Sequence, residues 1–152
     1  MLKLAMAGLA LALGAGYAPP SFSQAKPETL VQQRQAAMIL QGKYHYPIVP
    51  MAQGKRPFDA KIVQRNVAYL DVLTQLPWDG FVPATADVKP TRALPEIYKD
   101  SGKFQAAQER LRNEVTKLVA VTKSGDEAGT KAQILQVNNA CNSCHDSFRR
   151  KQ

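Results

Sequence analysis

Two thiols and an imidazole close together near the C-terminal end are the most chemically distinctive residues of this chain. They form the segment Cys141-Asn142-Ser143-Cys144-His145. Positions i, i+3 and i+4 of a helix share one face, so Cys141, Cys144 and His145 can all reach one flat ligand. This spacing is typical of c-type haem attachment, in which the two sulfurs form thioethers and the imidazole ligates the iron. Phe148, seven residues after Cys141, falls on the same face and is predicted to pack against the porphyrin edge.

Other uses of a Cys-x-x-Cys pair fit this sequence less well. A dithiol oxidoreductase places the motif at the start of a helix, where the helix terminus lowers the thiol pKa, whereas here it comes late in a helical stretch. A structural zinc site needs four ligands, and the chain has only two cysteines and one other histidine, His45. A disulfide between these thiols would be strained in a helix. The motif therefore predicts one haem c, bound covalently through Cys141 and Cys144 and ligated by His145.

Residues 1–25 have the pattern of a secretory signal peptide. The start is positively charged, residues 4–15 are apolar, and Ser23-Gln24-Ala25 supplies small residues at the positions that signal peptidase reads. The apolar run is shorter than the roughly 20 residues needed to span a bilayer. We therefore predict cleavage after Ala25, one mature domain over residues 26–152 without a transmembrane segment, and a location in the bacterial periplasm.

The charge balance bears on partners rather than on fold. The chain has 20 basic and 12 acidic residues, a formal net charge of +8. A basic surface favours acidic partners, so steering toward an acidic redox partner protein is one interpretation and a merely solvated surface is the other. The basic residues are spread along the chain without interleaved aromatic residues, so nucleic-acid binding is not predicted.

Four helical stretches are predicted to position the motif. They run from Pro27 to Gln41, ended by Gly42; from Phe58 to Leu76; from Pro95 to Lys123, with a break near Gly102; and from a cap at Asp126 to about Arg150. A loop as long as the connection over residues 78–94 is uncommon in a compact domain. We therefore predict that it either crosses from one side of the bundle to the other or has a functional role. Helices of this length favour an all-α fold, an antiparallel four-helix bundle with covalently bound haem in its core. His45 would then lie in the connector after Gly42, exposed at the bundle end.

The first helix carries the candidate residues for the other side of the haem. Met38 is on its inward face and can ligate the iron opposite His145, which gives a low-spin haem suited to electron transfer. The alternative is that Met38 only covers a five-coordinate iron, which then takes nitric oxide or another small gas. The residue type leaves both open, with electron transfer as the principal prediction. Arg34, one turn earlier, is predicted to bind a haem propionate because a buried guanidinium needs an anion; the alternative is a surface arginine.

The chain resembles the class II cytochromes c, the cytochrome c′ family together with its low-spin His/Met relatives. The resemblance spans residues 26–152 and is carried by Arg34-Gln35-x-x-Met38 and by the C-terminal motif from Cys141 through Arg149. It implies a left-twisted four-helix bundle, often dimeric through the first two helices. It also implies that Gln35 lies near a haem propionate with Arg34, and that Arg149 lies near the proximal face of the haem.

Nothing in the sequence indicates an enzyme. No Ser-His-Asp arrangement, pair of catalytic carboxylates or phosphate-binding loop can be argued from the residue pattern. Redox chemistry would belong to the haem, and the protein would supply its ligands and surroundings. The predicted partners are redox proteins and a second copy of the chain.

Overall fold

The computed structural model describes residues 25–151, which fold into helices joined by loops. The helices are α1 (Pro27–His45), α2 (Val49–Ala52), α3 (Ala60–Leu73), α4 (Glu96–Lys99), α5 (Ser101–Ser124) and α6 (Glu127–Phe148), with 3₁₀ turns at Trp78–Gly80 and Pro83–Thr85. The long helices α1, α3, α5 and α6 pack in sequence, α1 on α3, α3 on α5 and α5 on α6. The predicted four-helix bundle is therefore confirmed. The predicted signal peptide lies outside the described residues.

Local chemistry explains where the long helices begin and end. Asp59, Asp100 and Asp126 each accept a hydrogen bond from a backbone N–H in the first turn of α3, α5 and α6, respectively. Pro27 starts α1, where its missing N–H has no cost. Gly125 ends α5 with φ 78°, a left-handed conformation that glycine adopts without strain. The predicted cap at Asp126 is confirmed, and the predicted break near Gly102 lies at Asp100.

The end predicted for the first helix at Gly42 was wrong. α1 continues through Gly42 to His45, whose side chain is only 4% exposed, so the prediction of an exposed His45 was also wrong. A glycine within a helix costs only about 1 kcal/mol, and packing of the residues beyond it outweighs that cost. A Cβ at Gly42 would lie 2.9 Å from the Tyr46 ring, so glycine also lets this ring pack over the helix.

The core divides into two clusters. The larger one joins α2, α3, α5 and α6 through side chains such as Met51, Val63, Leu70, Leu118 and Ile134. The smaller one joins α4, α5 and the end of α6 through Ile97, Phe104 and Phe148. Burial of these side chains fixes the positions of α5 and α6, which present the C-terminal motif.

The connection between α3 and α4, residues 74–95, folds back onto α1. Its close approach depends on Gly80, where a Cβ would lie 2.8 Å from the carbonyl oxygen of Leu30 and from Cβ of Arg34. The other end of the connection pairs with the end of α6: the N–H of Leu94 donates to the carbonyl oxygen of Phe148 at 3.0 Å. Within residues 25–151 no helix is both long enough and apolar enough to span a membrane.

Candidate functional site

A cavity of about 410 Å³ lies between α1, α6 and the connection. This volume is in the range typical of small-molecule and cofactor sites. All eight residues that the sequence analysis proposed for the site line this one cavity: Arg34, Gln35, Met38, Cys141, Cys144, His145, Phe148 and Arg149. The fold thus brings together residues from opposite ends of the described chain.

α6 forms the wall that carries the attachment motif. The helix is continuous from Glu127 to Phe148, so Cys141, Cys144 and His145 share the face that lines the cavity. Phe148 is 8% exposed and packs edge-on against Phe104, with ring centroids 5.2 Å apart. The α6 wall therefore offers two thiols, one imidazole and one fixed aromatic edge to the same ligand.

The thiols are in surroundings that keep them protonated. Burial, with a smaller contribution from the nearby Cys144, raises the pKa of Cys141 to about 11. Burial also raises the pKa of Cys144, partly offset by Arg149. A thiol-disulfide enzyme needs a thiolate at neutral pH and hence a lowered pKa. These surroundings therefore argue against the dithiol alternative.

The imidazole of His145 is held neutral. Burial, followed by the cations Arg149 and Arg92, lowers its pKa to about 4, although Asp146 acts in the opposite direction. A metal-ligating histidine must be neutral, since the lone pair of a ring nitrogen forms the bond. His145 is therefore in the protonation state of a metal ligand throughout the physiological pH range.

Arg34 is buried, with only 2% of its surface exposed. Its guanidinium donates to the carbonyl oxygen of Gly80 at 2.6 Å and to three hydroxyl oxygens, Thr85 Oγ1 at 3.0 Å, Tyr98 Oη at 3.2 Å and Thr91 Oγ1 at 3.3 Å. It also lies over the Phe81 ring, 4.3 Å from the centroid. Within residues 25–151 no carboxylate pairs with it. The surface-arginine alternative was therefore wrong, and a buried cation on a cavity wall favours an anionic ligand group.

Gln35 lies beside Arg34 on the same wall and is held by the connection. Its Nε2 donates to the carbonyl oxygen of Pro90 at 2.8 Å. Both residues therefore fix α1 to the connection at one end of the cavity.

The register between α1 and α6 places Met38 opposite His145. The two helices run antiparallel on either side of the cavity, and His45 Nε2 lies 3.4 Å from Asn138 Oδ1. Met38 is seven residues before His45, and His145 is seven residues after Asn138. Seven residues of α-helix span about 10.5 Å, and both steps run in the same direction from the hydrogen-bonded pair. Met38 and His145 consequently face each other at the same level of the cavity.

Sequence reasoning missed the aromatic wall of the cavity. Trp78 and Phe81 come from the connection and Phe104 from α5, with ring centroids 5.0 to 6.2 Å apart. The unusual length of the connection was the available signal, and it indicated a role without indicating which residues serve it. His45 was also missed as a cavity residue, because its burial depends on packing between α1 and α6.

The cavity fits a haem c. It has two thiols and a neutral imidazole on one wall, aromatic rings on another, and a buried cation without an anion among the described residues at one end. A haem consists of a porphyrin that holds an iron. The porphyrin carries two groups that form thioethers with cysteine and two propionate groups. Each of these requirements has a matching group in the cavity.

Comparison with known proteins agrees with this fit. A family model described as Cytochrome C' matches residues 29–149. Cytochrome c' of Rubrivivax gelatinosus is 38% identical over 126 residues, which cover 83% of this chain and 98% of the relative. Cytochrome c' of Alcaligenes xylosoxydans xylosoxydans is 34% identical over 128 residues, covering 84% and 98%.

Solved structures give the same result. The crystal structure of cytochrome c' from Rubrivivax gelatinosus superposes with a TM-score of 0.78 and 38% identity, covering 82% of this chain and 98% of that one. A nitric oxide complex of a cytochrome c prime variant from Alcaligenes xylosoxidans superposes with a TM-score of 0.76 and 34% identity, covering 85% and 99%. The superposition covers nearly the whole length of both solved chains.

Proposed function

The chain belongs to the cytochrome c′ family and binds one covalent haem c, and from this premise we propose that it binds nitric oxide or a similar small gas at a five-coordinate iron. The observation that carries the proposal is the similarity to cytochrome c′ structures over nearly their whole length, several of them nitric oxide complexes of variants from Alcaligenes xylosoxidans. This similarity favours gas binding over the His/Met electron transfer that was the principal prediction from sequence.

Each side chain has a role in this proposal. When bound, haem c supplies an iron with a coordination position that a small gas can occupy. Cys141 and Cys144 hold the haem covalently. His145, neutral because it is buried and lies near cations, is the single protein ligand of the iron. Met38, at the level of His145 on the opposite wall, covers the distal face without ligating.

The remaining cavity residues orient the haem. Arg34 binds a propionate, supported by its burial and by hydrogen bonds that go only to neutral groups within residues 25–151. Gln35 assists at the same end, and Phe148 packs against the porphyrin edge from α6. Arg149, one residue after the end of α6, adds positive charge on the proximal side. In this proposal the protein binds and releases a ligand and does not catalyse a reaction.

Electron transfer is the second candidate, favoured by one observation. Met38 lines the same cavity as His145, from α1, and a thioether is a known second ligand of haem iron. The exposed arginines Arg92 and Arg149 at the rim of the cavity would then suit an acidic redox partner.

Location and assembly follow from the same family. We infer a periplasmic protein, since the N-terminal pattern predicts export and the attachment motif requires thioether formation outside the cytoplasm. We also infer a homodimer through α1 and α3, supported by the exposed apolar side chains on and next to these helices: Ile39, Leu40, Tyr69, Val72 and Leu76.

The visible spectrum of the holoprotein, compared with that of Met38→Leu, tests the proposal. We expect broad high-spin bands that shift when carbon monoxide is added to the reduced protein, and the same spin state in Met38→Leu because leucine cannot ligate. A low-spin spectrum that does not change when carbon monoxide is added, and that becomes high-spin in Met38→Leu, would contradict gas binding and support the electron-transfer candidate.

A further inference from the structure

We propose that His45 and Asn138 form a latch between α1 and α6 that holds Met38 over the ligand site and thereby limits the entry of a small gas. His45 and Asn138 are positioning residues in this proposal, since they act through Met38. The inference rests on the proposed gas-binding function and adds to it the device that sets access to the distal side.

The latch joins two helices that otherwise face each other across the cavity. His45 Nε2 and Asn138 Oδ1 are 3.4 Å apart, and this is the only side-chain hydrogen bond between α1 and α6 in the described part of the chain. The other side-chain hydrogen bonds made by α1 residues run to α3, to α4 or to the connection, through Arg34, Gln35 and Gln41. Without the latch, polar contacts would tie α1 to its neighbours but not to the haem-bearing helix.

The chemistry of His45 fits a positioning role better than a purely stabilising one. The side chain is 4% exposed, and its Nδ1 is buried without a hydrogen-bond partner. Because the oxygen of Asn138 accepts, Nε2 carries the proton and Nδ1 keeps a bare lone pair. Leaving a buried polar atom unsatisfied is costly, and an apolar ring would avoid that cost. The presence of histidine here is explained if its bond to α6 is needed.

The latch can act on Met38 because Met38 lies between two fixed points of α1. On one side, Arg34 is held by Gly80 and three hydroxyl groups, one turn before Met38. On the other side, the His45–Asn138 bond lies about 10.5 Å further along the helix. Breaking that bond leaves this end of α1 tied only to α3, through Gln41 and Asn66. No side-chain hydrogen bond then holds it against α6, so the gap that Met38 covers can widen.

The test measures carbon monoxide association with the reduced holoprotein for wild type, His45→Phe, Asn138→Leu and the double variant. Each single variant leaves one polar partner without its hydrogen bond, the buried His45 or the half-buried Asn138, whereas the double variant removes both and should fold normally. We expect faster association in all three variants, by about fivefold, the factor that corresponds to loss of one net hydrogen bond. Asn66→Leu is the matched control, because Asn66 Nδ2 donates to the carbonyl oxygen of Tyr44 at 2.9 Å and ties α1 to α3 instead.

The outcomes separate the latch from the proposed function. A folded double variant, as judged by near-ultraviolet circular dichroism, that binds carbon monoxide at the wild-type rate would overturn the latch. An equal acceleration in Asn66→Leu would also overturn it, since any loosening of α1 would then suffice. If the wild type takes up no carbon monoxide, the gas-binding function fails. The latch is then judged by the Met38–iron absorption band, which must weaken in the double variant and not in the control.

Discussion

The residues of the attachment motif owe their chemistry to burial as well as to spacing. Burial keeps the Cys141 and Cys144 thiols protonated and the His145 imidazole neutral. Exposed groups of the same types would be closer to their ordinary pKa values. The pattern Cys-x-x-Cys-His therefore suits a haem site because it lies on the half-buried face of α6 that lines the cavity, next to cations that disfavour protonation of His145.

Arg34 provides a test at the residue scale. Arg34→Leu should lower the reduction potential of the haem, because a nearby cation stabilises the reduced, more negative state. It should also destabilise the fold by about 1–3 kcal/mol, since the buried carbonyl oxygen of Gly80 loses its charged donor. Redox titration and chemical denaturation of the holoprotein measure the two effects. Arg34→Lys is the control that keeps the charge, so an equal fall in its potential would contradict the propionate role.

The burial of His45 should make the free energy of unfolding depend on pH. Burial lowers its pKa from the ordinary 6.5, while the bond to Asn138 acts weakly in the opposite direction. Because the pKa of His45 is lower in the folded state, the unfolded chain binds more protons at acidic pH. The free energy of unfolding is therefore highest above about pH 6.5 and falls as the pH drops toward the folded-state pKa. Thermal unfolding of the holoprotein between about pH 7.5 and about pH 5.5, roughly one unit either side of that value, should show this fall.

The double variant His45→Phe/Asn138→Leu isolates the contribution of His45. It should lose less stability over the same pH range, because both proteins share every other titrating group, His145 included. Parallel curves for the two proteins would show that His45 does not contribute.

At the scale of elements, the connection between α3 and α4 is part of the site rather than a tether. It supplies Trp78 and Phe81 to the aromatic wall and the oxygen atoms that hold Arg34. Its position depends on Gly80, since a Cβ there would be 2.8 Å from backbone and side-chain atoms of α1. The absence of a side chain at Gly80 therefore lets the connection lie this close to α1.

Gly80→Ala should destabilise the holoprotein by about 1–3 kcal/mol, the usual cost of forcing atoms into a packed contact. Gly102→Ala is the matched control: Gly102 lies in the first turn of α5 with nothing within 4 Å of a Cβ. The control should be neutral or more stable by up to about 1 kcal/mol, because alanine favours helix. Chemical denaturation measures both, and equal effects of the two changes would contradict the close approach at Gly80.

At the scale of the whole molecule, α1 and α3 have two different faces. Toward the interior they bury Val31, Val63, Val67 and Leu70, and toward solvent they expose Ile39 at 72% and Val72 at 62%. Neighbouring apolar side chains at such exposure are typical of an interaction surface. The inferred homodimer would cover this surface.

Val72→Glu should convert the dimer to a monomer, because it would bury a charge in an apolar interface. Sedimentation velocity or light scattering of the holoprotein measures the mass. Ala120→Glu, at an exposed position of α5, adds the same charge away from this surface and should leave the mass unchanged. A monomeric wild type, or a dimer that survives Val72→Glu, would contradict the inferred interface.

The sequence by itself determined the attachment motif, the four long helices, the cap at Asp126, and the candidate set on the first helix. These depend on residues within a few positions of each other, so local spacing is enough to predict them. The predicted end of the first helix at Gly42 was wrong, because packing of His45 outweighs the weak tendency of glycine to end a helix.

Only the tertiary structure decided which groups surround those candidates. The hydrogen-bond partners of Arg34 lie 46 to 64 residues away, and Asn138 lies 93 residues from His45. The facing positions of Met38 and His145 follow from that last pairing, which fixes the register of two helices at opposite ends of the described chain. Contacts between residues so far apart in sequence depend on the packing of the whole bundle, so they cannot be predicted from a local pattern of residue types.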